Sequence, residues 1–245
     1  MSVLTDRKQI QYKYRFQFDN GVEKSFDVVL DEATLELVRE DLDPKPEWTK
    51  LKFSQCENCP LHDDVEYCPV ALNLAGLVRV FSDSVSYEAV LVTVETAQRT
   101  YMKKTTLQKG LSGIIGIYMP TSNCPVLSKL RPMTRFHLPF ANAFETFFRS
   151  ISSYLIAQFL LMKRGSAPDW NLAGLQKIYE EVNTVNKWMT TRLRKATEKD
   201  ANINAVVILH SFGDSISYFI DSGFPDLESM FEVFLKNNVS TDAKS

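Results

Sequence analysis

Apolar and polar residues alternate strictly over residues 12–18, where the apolar members are aromatic. The same two-residue period returns over residues 26–30, and Asn20-Gly21 lies between the two runs. Because Asn and Gly both tolerate the positive φ of a tight hairpin turn, this pattern predicts a β-hairpin. A second alternating pair, Tyr87–Val94 and Arg99–Met102, predicts two more strands of a small antiparallel sheet.

The apolar period lengthens to three and four residues elsewhere, which is typical of amphipathic helices. The predicted helices cover residues 32–40, 70–81, 105–118, 143–163, 169–189, 202–221 and 226–235. Asn142 with Glu145 forms a capping box at the start of one long helix, and Thr105 with Gln108 forms another.

Strands and a cysteine-containing loop come first, and long helices follow. This order predicts an α+β fold, with an N-terminal β-hairpin and small antiparallel sheet before a C-terminal helical bundle, rather than alternating β-α-β units. We divide the chain into a mixed part, residues 1–138, and a helical part, residues 139–245. Since a small sheet needs an element that covers one face, we expect the two parts to form one cooperative unit.

The composition is that of an ordinary globular protein, with 245 residues, 44% hydrophobic residues, 24% charged residues and a net charge of −2. No overall positive charge favours nucleic acid or an acidic membrane surface. We interpret the basic run at residues 187–199, which includes Arg192, as a solvated helix face. The first twenty residues lack an apolar signal segment, and the longest apolar stretch, residues 151–162, is too short and polar to span a bilayer. These features predict a cytoplasmic protein.

Four cysteines carry the most specific chemistry in the chain. Cys56 and Cys59 are two residues apart, Cys68 follows in the same segment, and Cys124 lies in a later loop. Three of the four precede proline directly, and proline often opens the next helix. Without a secretory signal, the four cysteines are interpreted as thiols or metal ligands rather than disulfides.

Three interpretations of the cysteines stay open. Zinc could be held by all four, or by three cysteines with His62 as an alternative ligand. A 4Fe–4S cluster uses the same four-cysteine set and the Cys-Pro pattern. Without a metal, the thiols are small buried apolar groups, or Cys56 and Cys59 form a redox pair. The spacing alone does not place Cys124 beside the other three.

A second candidate site lies in the loop that contains Arg131, Arg135 and His137. Two guanidinium groups and an imidazole on an irregular segment predict binding of an anion, or acid–base chemistry on an anionic substrate. The alternative is that both arginines pair with surface carboxylates and that the histidine satisfies a backbone group.

The motifs CENCPLHDDVEYCPVALNL, TTLQKGLSGIIGIYM, TSNCPVLSKLRPMTRFHLPF and IYEEVNTVN resemble those of an uncharacterised bacterial protein family with Cys-Pro motifs. The resemblance runs over most of the chain. It implies a bacterial source and cysteines that act together, and it implies no reaction.

Three functions follow from these features. The first is a zinc-stapled binding or regulatory module that takes an unknown protein partner or a small ligand, with a homodimer formed through its long helices. The second is an iron–sulfur or thiol-based redox protein or sensor. The third is an enzyme that acts on an anionic substrate at Arg131, Arg135 and His137.

Overall fold

A computed structural model describes residues 8–39, 42–222 and 225–238, and it confirms the predicted α+β class. The strands are β1 (Gln9–Phe18), β2 (Glu23–Asp31), β3 (Leu37–Val38), β4 (Ala89–Glu95) and β5 (Thr100–Thr106). They form one antiparallel sheet in the order β3-β2-β1-β4-β5.

The predicted hairpin is confirmed as β1 and β2. Its register places Tyr14 opposite Phe26, and Gly21 takes a φ of 83°, which glycine adopts without steric cost. Strand β1 is central because β4 pairs with its other edge. Of the aromatic side chains that alternate along β1, Tyr12, Tyr14 and Phe16 are buried and Phe18 is half-buried, so the two-residue period marks the core face of the sheet.

The helices follow the predicted pattern closely after residue 68. They are α1 (Pro69–Val80), α2 (Leu107–Tyr118), α3 (Ala143–Lys163), α4 (Ala173–Ala196), α5 (Ala201–Asp221) and α6 (Pro225–Asn238), with short 3₁₀ segments at Glu47–Thr49, Leu51–Phe53 and Leu127–Thr134. The capping box of Asn142 and Glu145 is present at the start of α3. The capping box predicted for Thr105 and Gln108 is absent, because residues 105 and 106 still belong to β5 and α2 begins at Leu107.

The prediction of a helix at residues 32–40 is wrong, because residues 32–39, which the structure describes, form a turn and a short strand. Asp31 Oδ1 accepts hydrogen bonds from the backbone N–H groups of Ala33 and Thr34, and Leu35 takes a φ of 57°. These contacts form a turn, after which Leu37–Val38 pairs with β2. The Asp side chain offers the backbone a local alternative to helical hydrogen bonds, which a periodicity argument does not register.

Helix α2 packs directly against the sheet. A Cβ atom added to Gly110 would come within 2.8 Å of Val92 Cγ2 and 2.9 Å of Phe16 Cε1, distances that real side chains do not tolerate. The glycine therefore lets the helix backbone approach β1 and β4. The resulting core holds Phe16 and Val92 together with Val182, Leu193 and other residues of α4 and α5, so both parts of the chain contribute to it.

Of the described helices, only α5 is long and apolar enough to cross a membrane, judged by length and composition alone. Its residues Ala205 and Val206 belong to the main core, and Leu209 packs against that core. A core helix meets the same criterion, so the length and composition of α5 are weak grounds for a membrane span. Helices α3 and α6 contribute residues to a smaller second cluster around Phe147 and Ile216.

Candidate metal centre

The segment that carries the first two cysteines is a loop held at its base. Lys50 and Tyr67 form an isolated antiparallel bridge, and an ion pair joins Lys52 to Asp63 across the loop. Within it, the backbone N–H of Cys59 donates to the carbonyl of Cys56 over 3.1 Å, which makes the tight turn expected of this spacing. Asn58 Nδ2 donates to the carbonyl of Glu181 over 2.9 Å, so the loop is attached to α4.

Cys68 lies at the first turn of α1. It is the N-cap residue, and Pro69 is the first residue of the helix, where a missing N–H costs no hydrogen bond. The backbone N–H groups of Val70 and Ala71 donate toward the sulfur. Helix N-termini present unpaired N–H groups, so this position favours a negatively charged sulfur.

Cys124 has the same arrangement in the loop after α2. The backbone N–H groups of Val126 and Leu127 donate toward its sulfur, and a 3₁₀ segment begins at Leu127. The preceding residue, Asn123, takes a φ of 65°, which turns the chain sharply after α2. Two thiols, 56 residues apart along the chain, thus each lie at the start of a helical segment.

The structure places all four cysteines around one cavity of about 20 Å³, whose lining includes Val185 and Met189 of α4. Cys124 therefore lies beside the other three, which the sequence alone did not establish. None of the four is in a disulfide. His62 is exposed and does not line the cavity. Within the described ranges, no three His, Cys, Asp or Glu side chains are arranged so that they could hold one ion.

Arg192 also lines this cavity and is 1% exposed. Its guanidinium donates to four backbone carbonyls of the segment before the cysteine loop: Trp48 and Lys50 from Nη1, over 2.6 and 2.7 Å, and Leu51 and Ser54 from Nη2, over 3.0 and 2.8 Å. Arg192 Nε is buried without a hydrogen-bond partner. No ion pair of the described residues includes Arg192, so its buried charge has no carboxylate beside it.

The interpretation of residues 187–199 as a solvated face is therefore wrong for Arg192. The spacing of residues in the sequence does predict the burial of Arg192. Arg192 follows Val185 and Met189 at helical spacing, which places it on the buried side of α4. Arg194 and Lys195, the next two basic residues, are exposed as expected.

Burial sets the protonation state of the thiols. It raises the pKa of Cys56 to about 12, with smaller increases from Cys68, Cys124 and Cys59. Burial also raises the pKa of Cys68 and of Cys124, although Arg192 and the backbone N–H groups oppose the rise at Cys68. These three thiols are neutral at neutral pH in the metal-free protein, and each would lose a proton on binding a metal.

The structure does not bring Arg131, Arg135 and His137 together. Arg131 donates to Asn123 and Ser128 and pairs with Glu36 at 3.4 Å. This network joins the loop after α2 to the turn before β3.

Arg135 pairs with Glu32 at 2.8 Å, and this contact lowers the pKa of Glu32. His137 Nε2 lies 2.5 Å from the hydroxyl of Tyr14, and its ring contacts Tyr12 edge-on. Burial, with Arg149 nearby, lowers the pKa of His137 to about 3, so the ring is neutral at physiological pH. The three side chains thus have three different sets of partners.

A family model described as Domain of unknown function (DUF6901) matches residues 12–232. No curated protein and no solved structure matches the chain. The match covers both the sheet and the helical part, which confirms the predicted membership of a family without an assigned function. The family description assigns no activity.

Proposed function

The chain belongs to this DUF6901 family, and we propose that Cys56, Cys59, Cys68 and Cys124 bind one structural zinc ion in a cytoplasmic binding or regulatory module. The ion would tie the cysteine loop to the start of α1 and to the loop after α2. It would thereby stabilise the junction between the sheet and α4. A closed four-cysteine site leaves no position for substrate, so the role of the metal is structural rather than catalytic.

The observation that carries this proposal is a buried cation beside four thiols that line one cavity. Binding of an ion would require the thiol side chains to turn towards a common point. The Arg192 guanidinium is neutralised by no carboxylate among the described residues, and an uncompensated buried charge is costly. Zinc bound by four thiolates has a net charge of −2, so it would supply the missing negative charge. The N–H groups directed at Cys68 and Cys124 favour the same deprotonated sulfurs.

The size of the cavity favours a single ion over a cluster. A volume of about 20 Å³ is close to that of one water-sized species, for which roughly 10–15 Å³ is the minimum. A 4Fe–4S cluster contains eight heavy atoms and would need the cavity to widen. A site of four zinc-bound thiolates suits a reducing compartment, where cysteines seldom form disulfides, and this agrees with the proposed cytoplasmic location.

Metal analysis of freshly purified protein tests the proposal. We expect one zinc per chain in colourless protein, and we expect His62→Ala to retain it because His62 lies outside the cavity. Brown protein with broad visible absorbance and bound iron would establish the iron–sulfur alternative instead. Protein with neither metal, and with no zinc uptake after reduction, would overturn the proposal.

A further inference from the structure

A second cavity, of about 400 Å³, lies on another side of α4. Residues of α2, α3, α4 and α5 line it together with the loop before α3. It shares no lining residue with the cysteine cavity. Its volume falls in the range of small-molecule sites, roughly 300–1,000 Å³.

Most of the cavity wall is apolar. Met119, Leu130 and Leu209 are among the side chains that form it. Gly113 and Gly116 of α2 also face it, and a Cβ added to Gly116 would meet only Leu209 Cδ2, at 3.7 Å. The missing side chains leave space for an apolar ligand against the helix.

The charges around this cavity have one sign. Lys103 and Lys109 are exposed, Arg149 is half-buried, and all three line the cavity. None of the described residues that line it is Asp or Glu. Arg149 donates from Nη2 to the carbonyl of Met133 over 2.8 Å, and no ion pair of the described residues includes any of these three cations.

Asn186 of α4 adds a polar group to the cavity wall. The residue as a whole is 3% exposed, and its side-chain amide makes no hydrogen bond with the described residues. Its amide atoms are not among the buried polar atoms without a partner, so water or a ligand in the cavity can reach them. Its amide can donate to an anionic oxygen.

From these features we infer that the cavity binds a small amphipathic anion: an apolar body such as an alkyl chain, with a carboxylate or phosphate head. The body lies against the apolar wall beside Gly113 and Gly116. Arg149 and the two lysines neutralise the negative charge of the head. This inference deepens the proposed binding role and rests on it, but the residues that carry it are separate from the cysteines.

Calorimetric titration of the full chain with three probes tests the ligand class. Decanoate carries both features, decanol lacks the charge, and acetate lacks the apolar body. We expect saturable binding of decanoate, at least about tenfold weaker binding of decanol, and no measurable binding of acetate, since tenfold corresponds to one good charge-assisted contact. Equal affinity for decanoate and decanol, or no binding of either, would overturn the inference.

Two variants locate the site, each with a matched control. Lys103→Ala combined with Lys109→Ala should weaken decanoate binding about five- to tenfold and leave decanol unchanged. Lys104→Ala on the same strand removes the same charge outside the cavity and should change nothing. Gly116→Leu should abolish binding by filling the cavity, whereas Gly76→Leu, where an added Cβ meets nothing within 4 Å, should not. Unchanged binding in both cavity variants would contradict this site.

Zinc measured on the same samples separates this inference from the proposed function. Binding of decanoate by a chain that holds no zinc would support the ligand site and contradict the zinc site. Zinc-loaded protein that fails to bind decanoate would support the zinc site and contradict the ligand site.

Discussion

The two cavities beside α4 are opposites in construction. The cysteine cavity has room for one ion and holds a fully buried guanidinium beside the four thiols that line it. The larger cavity is about twenty times more voluminous and carries its cations at or near the surface. Four backbone carbonyls hold the cation at the cysteine cavity, whereas Lys103 and Lys109 are exposed at the larger cavity, where a ligand can meet them. We therefore expect removal of a cation to affect stability at the first site and ligand affinity at the second.

The largest effect is expected for Arg192→Met, which keeps most of the side-chain volume. It leaves four carbonyls without this donor, two of them in buried hydrogen bonds and two in partly buried ones, so the free energy of unfolding should fall by about 3–5 kcal/mol. Denaturant unfolding measures the change. Arg194→Met on the exposed side of α4 is the control and should shift stability by less than about 0.5 kcal/mol. Equal stability of the two variants would contradict a structural role for Arg192.

Substitution of a cysteine should lower the free energy of unfolding less than Arg192→Met does, and the losses from two cysteines should not add. In zinc-loaded protein, Cys68→Ser or Cys124→Ser should each cost about 2–4 kcal/mol, and the double variant should cost little more, because either change already opens the site. Unfolding with and without a chelator provides the measurement. Additive losses that persist under chelation would mean that the thiols are independent core residues.

At neutral pH the smallest effect concerns the wall of the larger cavity. The pKa of His137 is about 3 in the folded protein and its ordinary value is 6.5, so the unfolded chain binds more protons between these values. Stability should therefore fall as pH drops from about 6.5 towards 3, and His137→Gln should remove this part of the fall, which reaches roughly 5 kcal/mol at most. Acid unfolding of the variant and of His62→Gln, which changes an exposed ring, tests this. Parallel pH profiles for wild type and His137→Gln would contradict a buried neutral ring.

How much could be predicted differs between the two sites for a physical reason. Cysteine is rare and chemically specific, so spacing and Cys-Pro identified all four residues before the fold was known. The approach of Cys124 depends on how α2 packs on the sheet, which is a property of tertiary structure. Arg192 was missed because a charge run is usually solvated, although its spacing from Met189 placed it on the buried face.

The larger cavity is invisible in the sequence because ordinary residues from several elements form it. Lys103, Arg149 and Asn186 have no shared motif, and only the fold brings them together. The strand and helix predictions succeeded where periodicity was long, as in β1 and α3. They failed at residues 32–36, where the single side chain of Asp31 organises a turn.

The central claim is that four thiols bind one zinc ion, and counting protons tests it most directly. Zinc added to metal-free, reduced protein in weakly buffered solution near pH 6 should release about four protons per ion, one from each thiol. The release should stop at one zinc per chain and should be lost in Cys124→Ser. Binding of zinc with two or fewer protons released, or equal release by Cys124→Ser, would contradict the four-cysteine site.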